Sequence, residues 1–260
     1  MGILNVTPDS FSDGGRFLDH EAAVAHGIRM AEEGADILDV GGESTRPGSD
    51  PVSVEEELER VVPVVKRLAA ETEAPISIDT RRHEAAAAAL DAGAVIVNDV
   101  SAGRDPQLLE AVREWGAGLV LMHMLGEPKT MQVEPHYEDV VDEVRAYLRS
   151  RVEAATAAGI DRERLCVDPG LGFGKSYRDD LVLMRDVDAF LDLGLPVLVG
   201  PSRKSFIGTA LGDLPVEQRL EGTAGAVAWM AGRGAHIVRV HDVPEIVRLV
   251  RVVDAIRSVR

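Results

Sequence analysis

Cysteine occurs once in the 260 residues, at Cys166, so the chain can form neither an intrachain disulfide nor a multi-cysteine zinc site. Within the apolar run LCVD that single thiol reads as inert core. Lysine is confined to Lys66, Lys129, Lys175 and Lys204. With 28 basic against 44 acidic side chains the net charge is −16, which removes the basic face that a nucleic-acid partner needs. The balance is equally compatible with salt adaptation and with an ordinary well-solvated surface. It does not exclude a small anionic ligand, because a site responds to local charge. No apolar run is long enough to cross a bilayer, and the N-terminus lacks the charged, apolar, small-residue order of a secretion signal. These two absences predict a cytoplasmic location with no membrane partner. No Pro-, Gly- or Ser-rich linker interrupts the chain, which predicts one domain over residues 1–260.

What is present is a period. Short β-branched runs occur at residues 2–6 (GILNV), 36–41 (DILDVG), 75–80 (PISIDT), 95–99 (VIVND), 118–123 (GLVLMH), 165–169 (LCVDP), 196–200 (PVLVG) and 236–240 (HIVRV). Ala- and Glu-rich segments with helical spacing lie between them: residues 20–35, residues 53–71 with Ser53 and Glu56 placed as a capping box, and residues 137–159 ending at Gly159. Strands that are apolar throughout and alternate with helices belong to a parallel sheet covered on both faces. Eight such units without a linker predict an α/β fold of the (β/α)₈ barrel type, ahead of an open doubly wound sheet. The two segments without regular spacing, residues 124–135 and the loop GLGFGKSYRD, both follow strands, which in a barrel is the catalytic end.

Polar residues close the strands in turn: Asn5, Asp39, Asp79, Asn98 with Asp99, His123, Asp168, the turn Pro201-Ser202-Arg203-Lys204, and Arg239 with His241. Any one of these carboxylates or amides alone is equally well explained as a cap of the following helix. The set is not, since several half-buried carboxylates at one mouth cost several kcal/mol each unless matched. Asp79, Asn98 and Asp168 are suited to the N–H edge of a flat heterocycle. Arg239 can stack on a ring or fork onto an oxyanion, and Lys204 and His241 add donors. Asn5 is the kind of neutral oxygen that Mg²⁺ accepts when substrate phosphates supply its other ligands. Ser205 opens a helix beside Lys204.

Other patterns carry less. GLGFGKS falls short of a P-loop because Pro169 stands where that motif needs glycine, and no HExxH pair is present. His20, His26, His83 and His136 read as surface side chains. His123 is left open between packing and site, and Met122 between barrel filler and pocket wall.

Eight motifs in strand order, NVTPDSFSDGG, DVGGESTRPGS, SIDT, VNDVS, LMHM with GEPKTMQ, DPGLGFGK, GPSRKSFIG and VRVHDV, together resemble the dihydropteroate synthase family over nearly the whole chain. The resemblance implies a (β/α)₈ barrel that joins 6-hydroxymethyl-7,8-dihydropterin diphosphate to p-aminobenzoate, with Mg²⁺, on the route to folate. It also implies competition by sulfonamides and a homodimer built through barrel-side helices, for which residues 220–234 are a candidate. Carried over by motif, Asp79, Asn98, Met122, Asp168, Gly172, Phe173, Lys204 and Arg239 are implied to bind the pterin. Asn5, Arg239 and His241 are implied to bind diphosphate, with the metal on Asn5. Phe11, Asp13, Thr45, Arg46, Pro47 and Ser205 are implied to form the aminobenzoate site. Asn5, Asp79, Lys204, Arg239 and His241 would carry a largely dissociative substitution, in which positioning and charge stabilisation replace a nucleophile.

Two departures accompany the match. Met1 abuts the first strand where the family usually carries an extension under the barrel, and Leu125 stands where a basic residue is common. The alternatives are a methyltetrahydrofolate–corrinoid methyltransferase, which would need no phosphate clamp and no STRPG loop, and a catalytically silent pterin-binding paralogue. Within the synthase reading, bound diphosphate is expected to order the loop carrying Phe11 and Asp13, which then completes the aminobenzoate pocket with Arg46.

Overall fold

The computed structural model describes residues 1–7, 16–43, 52–127 and 130–259. Its strands are β1 (Gly2–Asn5), β2 (Leu38–Gly41), β3 (Ile76–Asp79), β4 (Ile96–Asp99), β5 (Gly118–Met122), β6 (Leu165–Asp168), β7 (Leu198–Val199) and β8 (Ile237–Val238). The helices are α1 (Arg16–Glu32), α2 (Val54–Glu71), α3 (His83–Asp91), α4 (Pro106–Trp115), α5 (Val140–Ala157), α6 (Tyr177–Arg185), α7 (Ser205–Ala210), α8 (Leu220–Gly232) and α9 (Val243–Ser258). β1 to β6 pair in sequence order, all parallel, and β7 pairs with β8. Two bridges join these sheets into a ring, Val167 to Val197 and Gly2 to Val240. The fold is therefore the (β/α)₈ barrel that the period predicts, and the open sheet is excluded.

The last two strands are shorter than the sequence suggests, two residues each. Prolines bound β7: Pro196 and Pro201 have no N–H to donate to a ladder. Beside them, the Val197 N–H is taken by the His236 ring at 3.1 Å rather than by a strand. Helix ends follow capping chemistry. Ser53 accepts from Glu56 N, but the Glu56 carboxylate turns to Arg60, so only half of the expected capping box forms. Ser176 and Asp179 make the reciprocal box at the start of α6. α5 stops before Gly159, whose φ of 91° suits only glycine.

Alternation along the strands fills the barrel in layers. Met1, Val120, Cys166 and Leu198, with Ile37, Ile96 and Ile237, form an apolar floor. Burial there pushes the Cys166 thiol up to about 12, so it is inert, as its context predicts. The helices bury their apolar faces against the outside of the barrel in one large core, with a smaller cluster of Val227, Val240 and Ile246 between α8, α9 and the last strand. Two residues further along four of the strands the inward position turns polar: Asp39, Asn98, Asp168 and Arg239 follow Ile37, Ile96, Cys166 and Ile237. That change of polarity places the site.

Candidate active site

The polar layer is knit by one cation. Arg239 donates from Nε to Asp39 Oδ2 at 2.5 Å and from Nη2 to Asp79 Oδ2 at 2.6 Å, while Asn98 Nδ2 donates to the same Asp39 oxygen at 3.0 Å. Asp39 is fully buried and Asp79 nearly so. Burial raises the Asp79 carboxyl above its ordinary range and the Arg239 charge pulls it back. Arg239 itself is held more firmly protonated, its carboxylate neighbours outweighing the cost of burial. The guanidinium is gripped at its edge, a geometry that leaves its faces available for stacking on a flat ligand.

Asp168 is placed by β6 and by the loop that follows. Its Oδ1 accepts from Gly170 N at 2.7 Å, and burial raises its carboxyl against the pull of Lys204. Gly170 has a φ of 69°, and a Cβ there would run into the His123 carbonyl, so the motif DPG needs its glycine. Gly172 likewise has positive φ, and a Cβ would press on the Lys204 stem at 3.0 Å. The Lys204 ammonium bonds to the Leu171 carbonyl and lies 4.5 Å from the Phe173 ring centroid. Burial brings this lysine down to about 8, against the opposing pull of Asp168 and Asp180.

The turn that aims Lys204 inward is braced by residues the sequence motifs do not expose. Arg203 has a φ of 58°, and its guanidinium forks onto Asp242, at 3.0 Å from Nε and closer still from Nη2. Its N–H reaches Thr223 Oγ1 at 3.0 Å and its carbonyl accepts from Arg219 at 3.0 Å. Ser202 Oγ lies 3.0 Å from His241 Nδ1 and accepts from the His241 N–H at 3.1 Å, fixing that imidazole beside the mouth. Ser205 is exposed and opens α7.

Met122 is buried and packs with Val100, Met124 and Met131, against which Phe173 leans. His123 is resolved as packing. It is buried, meets Tyr147 edge-on at 4.8 Å, and accepts the attention of Lys175, whose Nζ is 2.8 Å from Nδ1 and 3.1 Å from the His123 carbonyl. Burial and that lysine lower the imidazole to about 2, so it is neutral. Asp99 also proves structural, accepting from Ser101 N and Oγ and from Gly103 N to cap its turn. His83 is not simply solvated, since its Nδ1 pairs with Asp105 at 2.9 Å.

Sequence reasoning singled out Asp39 only as a strand tip and missed Lys175 and Asp180. Asp180 Oδ1 accepts from Gly172 N at 2.6 Å and so shapes the ring-facing loop. It also missed the ionic brace under the second loop, where Glu57 of α2 accepts from Thr80 Oγ1 and from Arg82 Nη1, each at 2.6 Å, and Arg82 approaches Glu43 at 3.3 Å. Phe11, Asp13, Thr45, Arg46 and Pro47 lie outside the described residues, as does the expected ordering of the first loop.

Asn5 stands half-buried at the tip of β1. Among the described residues no group of three or more His, Cys, Asp or Glu is arranged to hold a metal ion. One neutral oxygen without a carboxylate cage fits an Mg²⁺ that is bound mainly through substrate phosphates, and does not fit a resident metal.

A barrel whose mouth is acidic where it would read a ring and cationic beside it matches known proteins closely. The family model described as "Pterin binding enzyme" matches residues 1–241. The dihydropteroate synthase of Escherichia coli (strain K12) is 49% identical over 260 residues, covering 100% of this chain and 92% of that one. Dihydropteroate synthase of Xanthomonas albilineans, solved with 4-aminobenzoic acid, superposes with a TM-score of 0.95 at 52% identity, covering 100% of this chain and 93% of that one. The same enzyme solved with 7,8-dihydropteroate gives a TM-score of 0.90 at 49% identity, covering 100% and 94%. The chain belongs to the pterin-binding enzymes and, within them, to the dihydropteroate synthases.

Proposed function

We propose that this chain condenses 6-hydroxymethyl-7,8-dihydropterin diphosphate with p-aminobenzoate, giving 7,8-dihydropteroate and pyrophosphate. The observation that carries the reading is the polar layer in which Asp79, Asn98 and Asp168 turn acceptors to one mouth while Arg239 and Lys204 supply the cations. Asp79, Asn98 and Asp168 bind the N–H edge of the pterin. Lys204 holds the ring from the side, over the Phe173 face, and Arg239 stacks on it. The Met122 and Phe173 wall excludes water from the ring.

No side chain in this set is placed as a nucleophile, so the rate comes from orientation and from stabilising separated charge. The C–O bond to diphosphate breaks first, with the anion held by Arg239, His241 and Asn5. The methylene cation that remains is delocalised into the pterin ring, beside the anionic Asp79 and Asp168, until the aniline nitrogen captures it and loses its proton. Asn5 would hold Mg²⁺ together with the diphosphate oxygens, and the ion would neutralise charge on the leaving group. Phe11, Asp13, Thr45, Arg46, Pro47 and Ser205 form the aminobenzoate side of the site. A homodimer through α8 accompanies this reading, supported by the half-exposed Trp229 on that helix; light scattering at the mass of one chain would remove it.

Pyrophosphate release from the pterin diphosphate, with and without p-aminobenzoate, tests the reaction. Aminobenzoate-dependent 7,8-dihydropteroate is expected, and a folded protein that makes none overturns the assignment. Arg46→Ala is expected to raise chiefly the aminobenzoate KM; an equal loss for both substrates contradicts the division of the site.

A further inference from the structure

Asp39 is the most deeply buried carboxylate of the polar layer. Its side chain is 0% exposed, in contact with Arg239 and Asn98, and its strand position is in register with Ser77 of β3. Both protein contacts of its carboxylate fall on one oxygen, Oδ2, which takes Arg239 Nε and Asn98 Nδ2 together. Each of those two side chains has its other end directed at groups assigned to the substrate. Arg239 Nη2 lies on Oδ2 of Asp79, the carboxylate assigned to the pterin edge. Asn98, with its nitrogen committed to a carboxylate, presents its oxygen elsewhere; the reversed amide would set oxygen against oxygen in a buried site.

We propose that Asp39 is a positioning residue: it keeps the Nε edge of Arg239 in place while the Nη2 edge gives up Asp79 to the incoming pterin, and it fixes the Asn98 amide with oxygen toward the pocket. The inference rests on the synthase reading and deepens it. A planar guanidinium held at Nε can pivot about that contact without leaving the strand tip. The ring N–H groups then replace Nη2 on Asp79, and the released Nη2 turns toward the diphosphate. Without the Asp39 charge, Arg239 has Asp79 as its nearest remaining carboxylate and competes with the ring for it. The same loss frees the Asn98 amide to rotate, so that a donor can face the ring donors. Asp39 thus acts on pterin recognition through two neighbours and on aminobenzoate through neither.

The test uses the full chain as wild type, Asp39→Asn, Arg239→Met and the double variant. Steady-state kinetics in both substrates are combined with equilibrium binding of 6-hydroxymethyl-7,8-dihydropterin, which lacks the diphosphate. Asp39→Asn is expected to weaken ring binding and raise the pterin diphosphate KM about ten- to a hundredfold, the worth of a charged hydrogen bond, with the aminobenzoate KM unchanged. The double variant is expected to fall below Arg239→Met by less than the full Asp39→Asn loss, because the Arg239 route is already gone and only the Asn98 route remains to be lost. Wild-type pterin parameters in Asp39→Asn, or losses that multiply in full in the double variant, overturn the proposal. Where Asp39→Asn does not give a cooperative melt, Asp39→Glu, which keeps the charge and displaces the oxygen that holds both partners, takes its place, and wild-type pterin parameters in it overturn the proposal. A wild-type chain that binds the ring but makes no dihydropteroate would defeat the synthase reading while leaving the ring-binding comparison decisive for Asp39.

Discussion

Lys204 carries the sharpest consequence of the local chemistry. Burial lowers its ammonium to about 8, and the cation is the form that attracts the substrate. The charge is present below that value and is lost as pH rises through it, so kcat/KM for the pterin diphosphate is expected to fall on an alkaline limb near pH 8. Lys204→Arg, which stays charged, should remove that limb even if it lowers the plateau; an unchanged limb in the variant would assign it to another group. The residues at the strand tips were legible in the sequence because a strand repeats every two residues, so an apolar inward position names the polar one above it. Their partners were not. Asp39 and Arg239 are separated by 200 positions and meet only when the barrel closes. Lys175 ends a loop whose glycines define its path and Asp180 lies in the first turn of α6 facing that loop, and no periodicity reports where such a loop sends its side chains.

Single elements are held by ionic braces outside the pocket, and each gives a separable prediction. The fork from Arg203 to Asp242 ties the turn after β7 to the start of α9. Asp242→Ala should loosen the turn that aims Lys204, raising the pterin diphosphate KM by about tenfold, the worth of one ionic hydrogen bond, with the aminobenzoate KM unchanged. Two-substrate kinetics would show it. Glu57 is 1% exposed on α2 and answers both Thr80 and Arg82. Replacing it by Ala leaves the Thr80 hydroxyl without its acceptor and Arg82 with only Glu43 and backbone carbonyls, and the expected cost in urea unfolding is about 1–3 kcal/mol. Helix existence could be read from spacing and caps; the shortening of β7 could not, because it depends on the His236 ring taking a strand N–H across the barrel wall.

At the level of the whole molecule, eight repeated units without a linker were enough to predict the ring, since parallel strands covered on both faces have few other closures. The floor of that ring makes Cys166 a reporter. The thiol is buried among Met1, Val120 and Leu198 and raised to about 12, so it is expected to stay unreactive toward an aromatic disulfide reagent in the folded protein. Its labelling rate should rise with denaturant in parallel with global unfolding; labelling at low denaturant without loss of helical signal would mean that the floor opens by itself. The ring also sets a timetable. Val240 donates to Met1 O and Gly2 bridges Val240, so the first strand finds its second neighbour only in the last one made. Until about residue 240 has left the ribosome, β1 and whichever strand is then last remain open edges, apolar and ready to pair with another chain. Release of a nascent chain halted before that point should therefore yield aggregates rather than a smaller soluble barrel, because the ring closes only when β1 meets the residues that follow β8.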